Sequence, residues 1–289
     1  MSFAIAIPCG IAAAVVYGGS TAVQHSAVNT GRGQVDARGL VRLLTNPRWL
    51  LSVAGDGLGL VLQVVALSTG PVVIIQPLLV LAVPVSLPIG WALGGPRPRR
   101  ADYLACVAII AGLGVFFGIV GDPGPSEIPD TRAVVVLIVV ALGTGLLVSL
   151  SVRRAAAVWR AAVFGGIAGA WFGIVGVLIN AASDVWQQDG RDGFTESLGW
   201  TLLTGVLLVG AAGVILTQIS FQVGALGASF PANESAAPLV AVVLGGTLLH
   251  ENVPVSPGEL LAYAACFAVI LAGTIRLANP PARRSGRAA

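Results

Sequence analysis

Two carboxylates sit where a carboxylate is costly. Asp56 and Glu234 each lie inside a long apolar run of the chain. A charge at the centre of a bilayer costs about 2.5–3.5 kcal/mol even on the lenient scale, so such a residue is usually paired, protonated or used. Asp56 stands seven residues beyond Trp49, roughly 10 Å along a helix, and Glu234 stands ten residues beyond Gly224, roughly 15 Å. If both runs start at the same face of a membrane, the two acids can meet near its midplane. No basic residue lies at that depth to neutralise them. Asn233, Ser235, Gln76, Gln63 and Asn180 are polar neighbours that could complete a site. Taken singly, each of these is ordinarily an interhelical hydrogen bond. The plain structural use of either acid is a protonated side chain bonded to the next helix.

Prolines mark the same regions. One run contains Pro77, Pro84 and Pro88, and another contains Pro231 and Pro238. An interior proline removes a backbone hydrogen bond and bends the helix. Within a membrane such breaks are tolerated where they face protein or a water-filled cavity. Interrupted helices at matching positions point to a binding site, with Pro77 and Pro238 as its hinges.

The elements that must position these residues follow from composition. Hydrophobic residues make up 56% of the 289, and charged residues only 10%. A soluble protein carries roughly 25% charged residues. Mean hydropathy is +0.89. So few charges cannot coat a water-exposed surface of this size, whereas lipid can cover it. A membrane-spanning helix needs about 20 apolar residues. Nine runs qualify: Phe3 to Val23, Trp49 to Ser68, Val72 to Leu93, Tyr103 to Val120, Ala133 to Val152, Ala155 to Ala182, Leu198 to Ile219, Gly224 to Leu249 and Leu260 to Leu277. They are too long, and too free of period-two alternation, for strands. The first run lacks a basic leader and is expected to be a mature helix, not a cleaved signal.

The basic residues test the count. All sixteen are Arg. With the N-terminus outside, fourteen of them fall in cytoplasmic segments: Arg32 to Arg48, Arg97 to Arg100, Arg153 to Arg160, and Arg276 to Arg287. Only Arg132 and Arg191 fall outside, as the positive-inside rule requires. The outer segments carry Asp122, Glu127, Asp130, Asp184, Asp189, Asp192, Glu196, Glu251 and Glu259. Basic residues placed in this way report topology and not nucleic-acid binding. The expected fold is therefore an all-α integral membrane protein of about nine helices, N-terminus out and C-terminus cytoplasmic, in a cell membrane. Residues 279–289 are expected to form a basic, disordered cytoplasmic tail.

An internal repeat organises the runs. Gln63 to Leu67 resembles Gln222 to Leu226, and Pro77 and Pro238 lie 161 residues apart, as do Ala111-Gly112 and Ala272-Gly273. The two copies run in opposite directions, which gives inverted halves over 1–120 (four helices) and 131–278 (five helices). Gly165, Gly169 and Gly173 form a small-residue face for close helix approach. Packing within one chain is the default use of that face, and a homodimer contact is the other.

Several motifs lead nowhere. Gly55-Asp56-Gly57-Leu58-Gly59 lacks the strand–turn–helix context of a dinucleotide site, and His250-Glu251 lacks a second His for zinc. Asn233-Glu234-Ser235 matches a glycosylation sequon but falls inside a run. Cys9, Cys106 and Cys266 have no zinc or disulfide spacing. No nucleophile–base constellation stands out, so nothing argues for an enzyme, and no cofactor is expected.

The stretch Gly55-Asp56 through Gln63 to Gly70-Pro71, then Gln76-Pro77-Leu78-Leu79, the basic Arg97 to Arg100 loop and Ala111-Gly112 resembles the drug/metabolite transporter superfamily, of EamA type. That superfamily usually has ten helices in two inverted halves of five. Here the basic segment Arg32 to Arg48 stands where a second helix would be. Nine helices, with an acid after glycine in the helix before the proline-bearing one, is similar to the NIPA-type magnesium transporter branch; the acid is Asp56 where that branch usually has Glu. The resemblance implies Mg2+ or another divalent cation as substrate, with Asp56 and Glu234 as its ligands. Magnesium is bound through one or two carboxylates with several retained waters. Anionic substrates would call for buried Arg or Lys. Proton-coupled efflux of a small metabolite or drug is the alternative, and a non-transporting membrane scaffold is the alternative from another class. The expected partners are the lipid bilayer and a small cation or solute.

Overall fold

A computed structural model describes residues 3–29, 47–95, 97–223 and 226–278. The basic segment from Arg32 to Arg42 and the tail 279–289 lie outside the described residues. Among those described there are helices and no strands. In chain order they are α1 (Phe3–Asn29), α2 (Pro47–Thr69), α3 (Val72–Leu78), α4 (Ala82–Ala92), α5 (Arg100–Val120), α6 (Thr131–Ser151), α7 (Ala157–Asp189), α8 (Ser197–Val223), α9 (Leu226–Leu248) and α10 (Pro257–Ala278).

Among the described residues, eight stretches are long and apolar enough to cross a membrane. Their outward faces are apolar as well: Leu104, Leu147, Leu207 and Leu261 are each more than 65% exposed. In water that surface would drive aggregation; in lipid it needs no cover. The eight omit α9. This 23-residue helix has the right length, but Pro231, Asn233, Glu234, Ser235 and Pro238 dilute its apolar character.

Helix ends differ from the sequence expectation in one consequential place. The sixth run, expected to stop at Ala182, continues as α7 to Asp189, giving 33 residues. At 1.5 Å per residue this is roughly 50 Å, against a hydrocarbon core of about 30 Å. Asp184, expected in an outer loop, is therefore part of a helix that projects past the apolar layer. Arg48, likewise expected in a loop, lies in the first turn of α2.

Packing follows two parallel schemes. In the first, α1 lies against α2 and α4; in the second, α7 lies against α8 and α9. Between them, α5 packs on α10 and α3 on α9. Phe116 of α5 meets Tyr263 and Phe267 of α10, each at 5.5 Å between ring centroids. Two glycines bring these backbones close. A Cβ at Gly112 would lie 3.3 Å from Ile270 Cγ1, and one at Gly273 would lie 2.7 Å from Ile109 Cγ1.

The connections sort to the two ends of the bundle. At one end the Asn252 N–H donates to the Pro123 carbonyl (2.8 Å) and the Glu127 N–H to the Leu249 carbonyl (2.8 Å). Gln187 Nε2 donates to the Ser68 carbonyl there (2.8 Å). At the other end Arg276 pairs with the nearly buried Asp102 at 2.9 Å, and the Arg99 N–H donates to the same carboxylate at 2.7 Å. Arg276, expected with the basic tail, thus ties the end of α10 to the start of α5.

Candidate functional site

The third run is broken where its prolines predict. Pro77 and Pro84 have no N–H to give to the carbonyl four residues back. Between them α3 ends at Leu78, a tight 3-10 turn covers Leu79–Leu81, and α4 resumes at Ala82. A 3-10 stretch within a helix marks a hinge or a strained sequence. Its counterpart differs: α9 runs unbroken from Leu226 to Leu248 through Pro231 and Pro238. There Pro238 deprives the Glu234 carbonyl of its usual donor, because the bond runs from residue i to i−4.

The glycine face of α7 seats α9. A side chain at Gly165, Gly169 or Gly173 would strike the backbone carbonyl of Ser229, Asn233 or Ala237 respectively. The face is filled within the chain, so it is not available to a second copy. Each glycine lets α9 approach by the width of a missing methyl, the usual device for membrane helices.

This contact fixes how α9 presents its residues. Residues 229, 233 and 237 turn toward α7. Glu234 is rotated about 100° from Asn233 and lies on the face that carries Gly245, eleven residues on. A Cβ at Gly245 would meet Val73 Cγ2 of α3 at 2.6 Å. One turn before Glu234, Phe230 packs against the cluster holding Val80 and Val83. Glu234 is therefore directed at the interrupted segment between α3 and α4. It is half-buried, and among the described residues its carboxylate has no hydrogen-bond or ion-pair partner.

Other polar groups on these packed helices are also unsatisfied. Gln76 is 4% exposed and lies against Gly176 of α7, where its amide fills the place of a side chain. Its Nε2 has no partner among the described residues. One turn further on α7, Asn180 donates to the Leu67 carbonyl (2.7 Å) and the Gly70 carbonyl (3.3 Å), while its Oδ1 is unpartnered. On α9 the buried Ser235 Oγ is unpartnered too. Asn233 is satisfied in part, its Nδ2 donating to Thr217 Oγ1 at 3.2 Å. An unmet buried polar group costs about 1–3 kcal/mol, and such groups ordinarily hold water or a ligand. Here they come from three mutually packed helices, α3, α7 and α9.

Asp56 and Gln63 lie elsewhere. The Tyr17 hydroxyl of α1 donates to Gln63 Oε1 at 2.9 Å, and Asp56 is an electrostatic neighbour of Tyr17. Both therefore belong to the α1–α2 interface. The helices α2 and α9 do not pack along one another. The expected meeting of Asp56 with Glu234 is not part of this packing, and the described residues contain no group of three or more metal-ligating His, Cys, Asp or Glu.

One acid has a role that sequence spacing does not suggest. Glu251, expected as an acid of an outer loop, is 3% exposed. Its two oxygens accept the N–H groups of Val72 (2.7 Å) and Val73 (2.9 Å), and the Ser126 hydroxyl donates to Oε1 at 2.9 Å. Burial pushes its carboxyl above the usual range, and the bonds from Val73, Val72 and Ser126 pull it back in part.

Long apolar helices, lipid-ready faces and a polar junction at a broken helix define the class: an all-α, multi-pass membrane protein. The chain is 30% identical to an uncharacterized protein of Corynebacterium glutamicum, over 289 residues that cover 98% of this chain and 97% of the relative. It belongs to the same family as that protein. No family model matches the chain, and no solved structure matches it.

Proposed function

We propose that this chain is a membrane transporter of a small cation, with Glu234 as the ion-binding carboxylate. The observation that carries the proposal is a half-buried acid, without a partner among the described residues, turned toward a proline-broken helix, with the unsatisfied Ser235 next to it on α9 and unsatisfied Gln76 and Asn180 further along the helices packed on α9. A carboxylate with neutral oxygens suits a cation that keeps part of its hydration shell. Mg2+ is bound in this way, through as few as one carboxylate, so Mg2+ or another divalent cation remains the leading substrate without requiring Asp56 in the same site. Glu234 is also suited to carry a proton, because an acid without a counter-cation can be protonated at low cost; coupled efflux of a small metabolite is the second reading.

Two packing features favour a transporter architecture in inverted halves, of the drug/metabolite transporter kind. The parallel schemes of α1 on α2 and α4, and of α7 on α8 and α9, match the halves suggested by sequence. Gly112 and Gly273, 161 residues apart, also face each other's helices reciprocally, as equivalent positions across a two-fold axis would. Nine crossings in a cell membrane, with α9 as the polar one, complete the proposal.

The test is uptake into proteoliposomes across a panel of cations, Mg2+ included, with and without a pH gradient. Glu234→Gln keeps shape and hydrogen-bonding capacity and removes the charge. It should fold and insert normally, lose transport, and lose stabilisation by the transported cation, since a ligand bound only to the native state raises its stability. A Glu234→Gln protein that transports at the normal rate would sink the proposal.

A further inference from the structure

The geometry around Glu251 points to a moving part. We infer that α3 is a hinged outer half-helix, latched at one end of the bundle by Glu251 and free to swing about the 3-10 turn Leu79–Leu81 when that latch opens. Four observations carry this. First, α3 is only seven residues long and joins α4 through the 3-10 turn, where Pro77 and Pro84 remove i→i−4 bonds and leave the helix at its weakest. Second, Glu251 holds its first two N–H groups from a segment 178 and 179 residues away in sequence. Third, the same carboxylate accepts from Ser126, and the strands of chain on either side are cross-tied by Glu127 to Leu249 and by Asn252 to Pro123. One side chain therefore joins α3, the 121–130 segment and the 249–256 segment. Fourth, α3 carries Gln76, one of the unsatisfied groups of the candidate site. Displacing α3 would open that site toward this end of the bundle, and restoring the three bonds would close it.

The carboxylate is well suited to the task. Charge-assisted hydrogen bonds are among the stronger ones, yet each is lost at once if the acid turns away. Gly245 leaves the room that Glu251 occupies: a Cβ there would lie 2.9 Å from Glu251 Oε2. The Glu251 N–H is itself held by the Gly245 carbonyl at 3.0 Å, which anchors the latch to the end of α9.

The latch adds a motion to the proposed transporter, but its test reads motion and not transport, so the two can fail separately. Hydrogen exchange of the full chain in lipid nanodiscs, followed by mass spectrometry, resolves segments 70–75, 121–127 and 249–252. Glu251→Gln replaces one carboxylate oxygen by an NH2 group that cannot accept, so only one of the Val72 and Val73 N–H groups keeps its acceptor, and that bond is no longer charge-assisted. Exchange should rise roughly tenfold or more in all three segments together, the size expected for losing a charged hydrogen bond. A rise confined to 70–75 would mean that Glu251 is only a local cap, and no rise would mean that the ties do not depend on it; either result overturns the latch. Should Glu251→Gln fail to fold, Ser126→Ala decides the matter, because it removes one tie and leaves the bonds to α3. It should raise exchange severalfold in both 121–127 and 249–252. Unchanged exchange there would overturn the inference.

Discussion

Replacing Gly169 by Ala adds one methyl group at the closest approach of α7 to α9. The new Cβ would strike the Asn233 carbonyl oxygen and stand 2.8 Å from its carbon and 2.9 Å from Cα. All three are backbone atoms, so no rotamer change relieves the contact. The helices must separate by about 1 Å to restore ordinary van der Waals distances. A radial gap of that size forfeits a quarter to a half of the dispersion energy of each contact it opens. In lipid no hydrophobic gain between helices compensates, since the tails are as apolar as the side chains. Overpacking of this kind costs about 1–3 kcal/mol. Gly166 supplies the control: it is on the same helix, and a Cβ there meets nothing within 4 Å. Gly166→Ala should be neutral or stabilising by up to about 1 kcal/mol through helix propensity. Thermal unfolding of both variants in one detergent gives the comparison. Equal midpoints for the two would refute the assignment of this face to α9.

Two further predictions concern charge. Cysteines placed at Gln188 and Ser285 should label from opposite sides of the membrane if an odd number of helices separates them; labelling from the same side would refute nine crossings. Because the Glu251 carboxyl is held above its ordinary range in the folded chain, the native state binds its proton more tightly than the unfolded state does. Its contribution to stability is therefore fully present below the ordinary carboxylate range and is lost as pH rises through the raised value. Unfolding midpoints measured from acid to neutral pH should fall over that window, and the fall should be smaller in Glu251→Gln. An identical pH profile for the two proteins would show that Glu251 does not set it.

What the sequence makes legible here is whatever depends on near neighbours. Apolar runs give the helices because each needs only its own composition. Pro77 and Pro84 announce the break between α3 and α4 because the lost hydrogen bond is local. The four-residue spacing of Gly165, Gly169 and Gly173 announces a close-packed face, although not that α9 fills it. Glu234 is conspicuous because the residues around it are apolar. Glu251 is not, since a His-Glu pair in a Gly- and Pro-flanked segment looks like any solvated loop, and the amides it caps lie in another hairpin. Asp102 and Arg276 are hidden for the same reason. Helix ends are blurred where a helix outruns the bilayer: composition becomes polar at Asp184, but the backbone of α7 continues to Asp189.

The contrast between Glu251 and Glu234 shows why buried acids must be read from their partners. Neither forms an ion pair among the described residues. Glu251 is almost fully enclosed, yet it accepts three hydrogen bonds, and breaking them would expose two helix N–H groups as well as the acid itself. Its burial is accounted for by structure. Glu234 is more open, accepts no hydrogen bond from the described residues, and faces the helix whose i→i−4 bonds the prolines interrupt. A protein that only needed to fold would gain from a Leu at that position, since the apolar side chain would pack without an unmet charge. Keeping an acid there, beside a proline that leaves the acid's own carbonyl without its usual donor, places two oxygen acceptors at one residue with no protein donor between them. Such an arrangement is costly when empty and favourable when a cation or proton is present. The substitutions therefore separate the two acids: Glu234→Gln should leave stability unchanged or improved while abolishing transport, and Glu251→Gln should loosen one end of the bundle. If Glu234→Gln instead destabilised the fold as much as Glu251→Gln does, Glu234 would be a structural hydrogen-bonder and the site would have to be sought elsewhere.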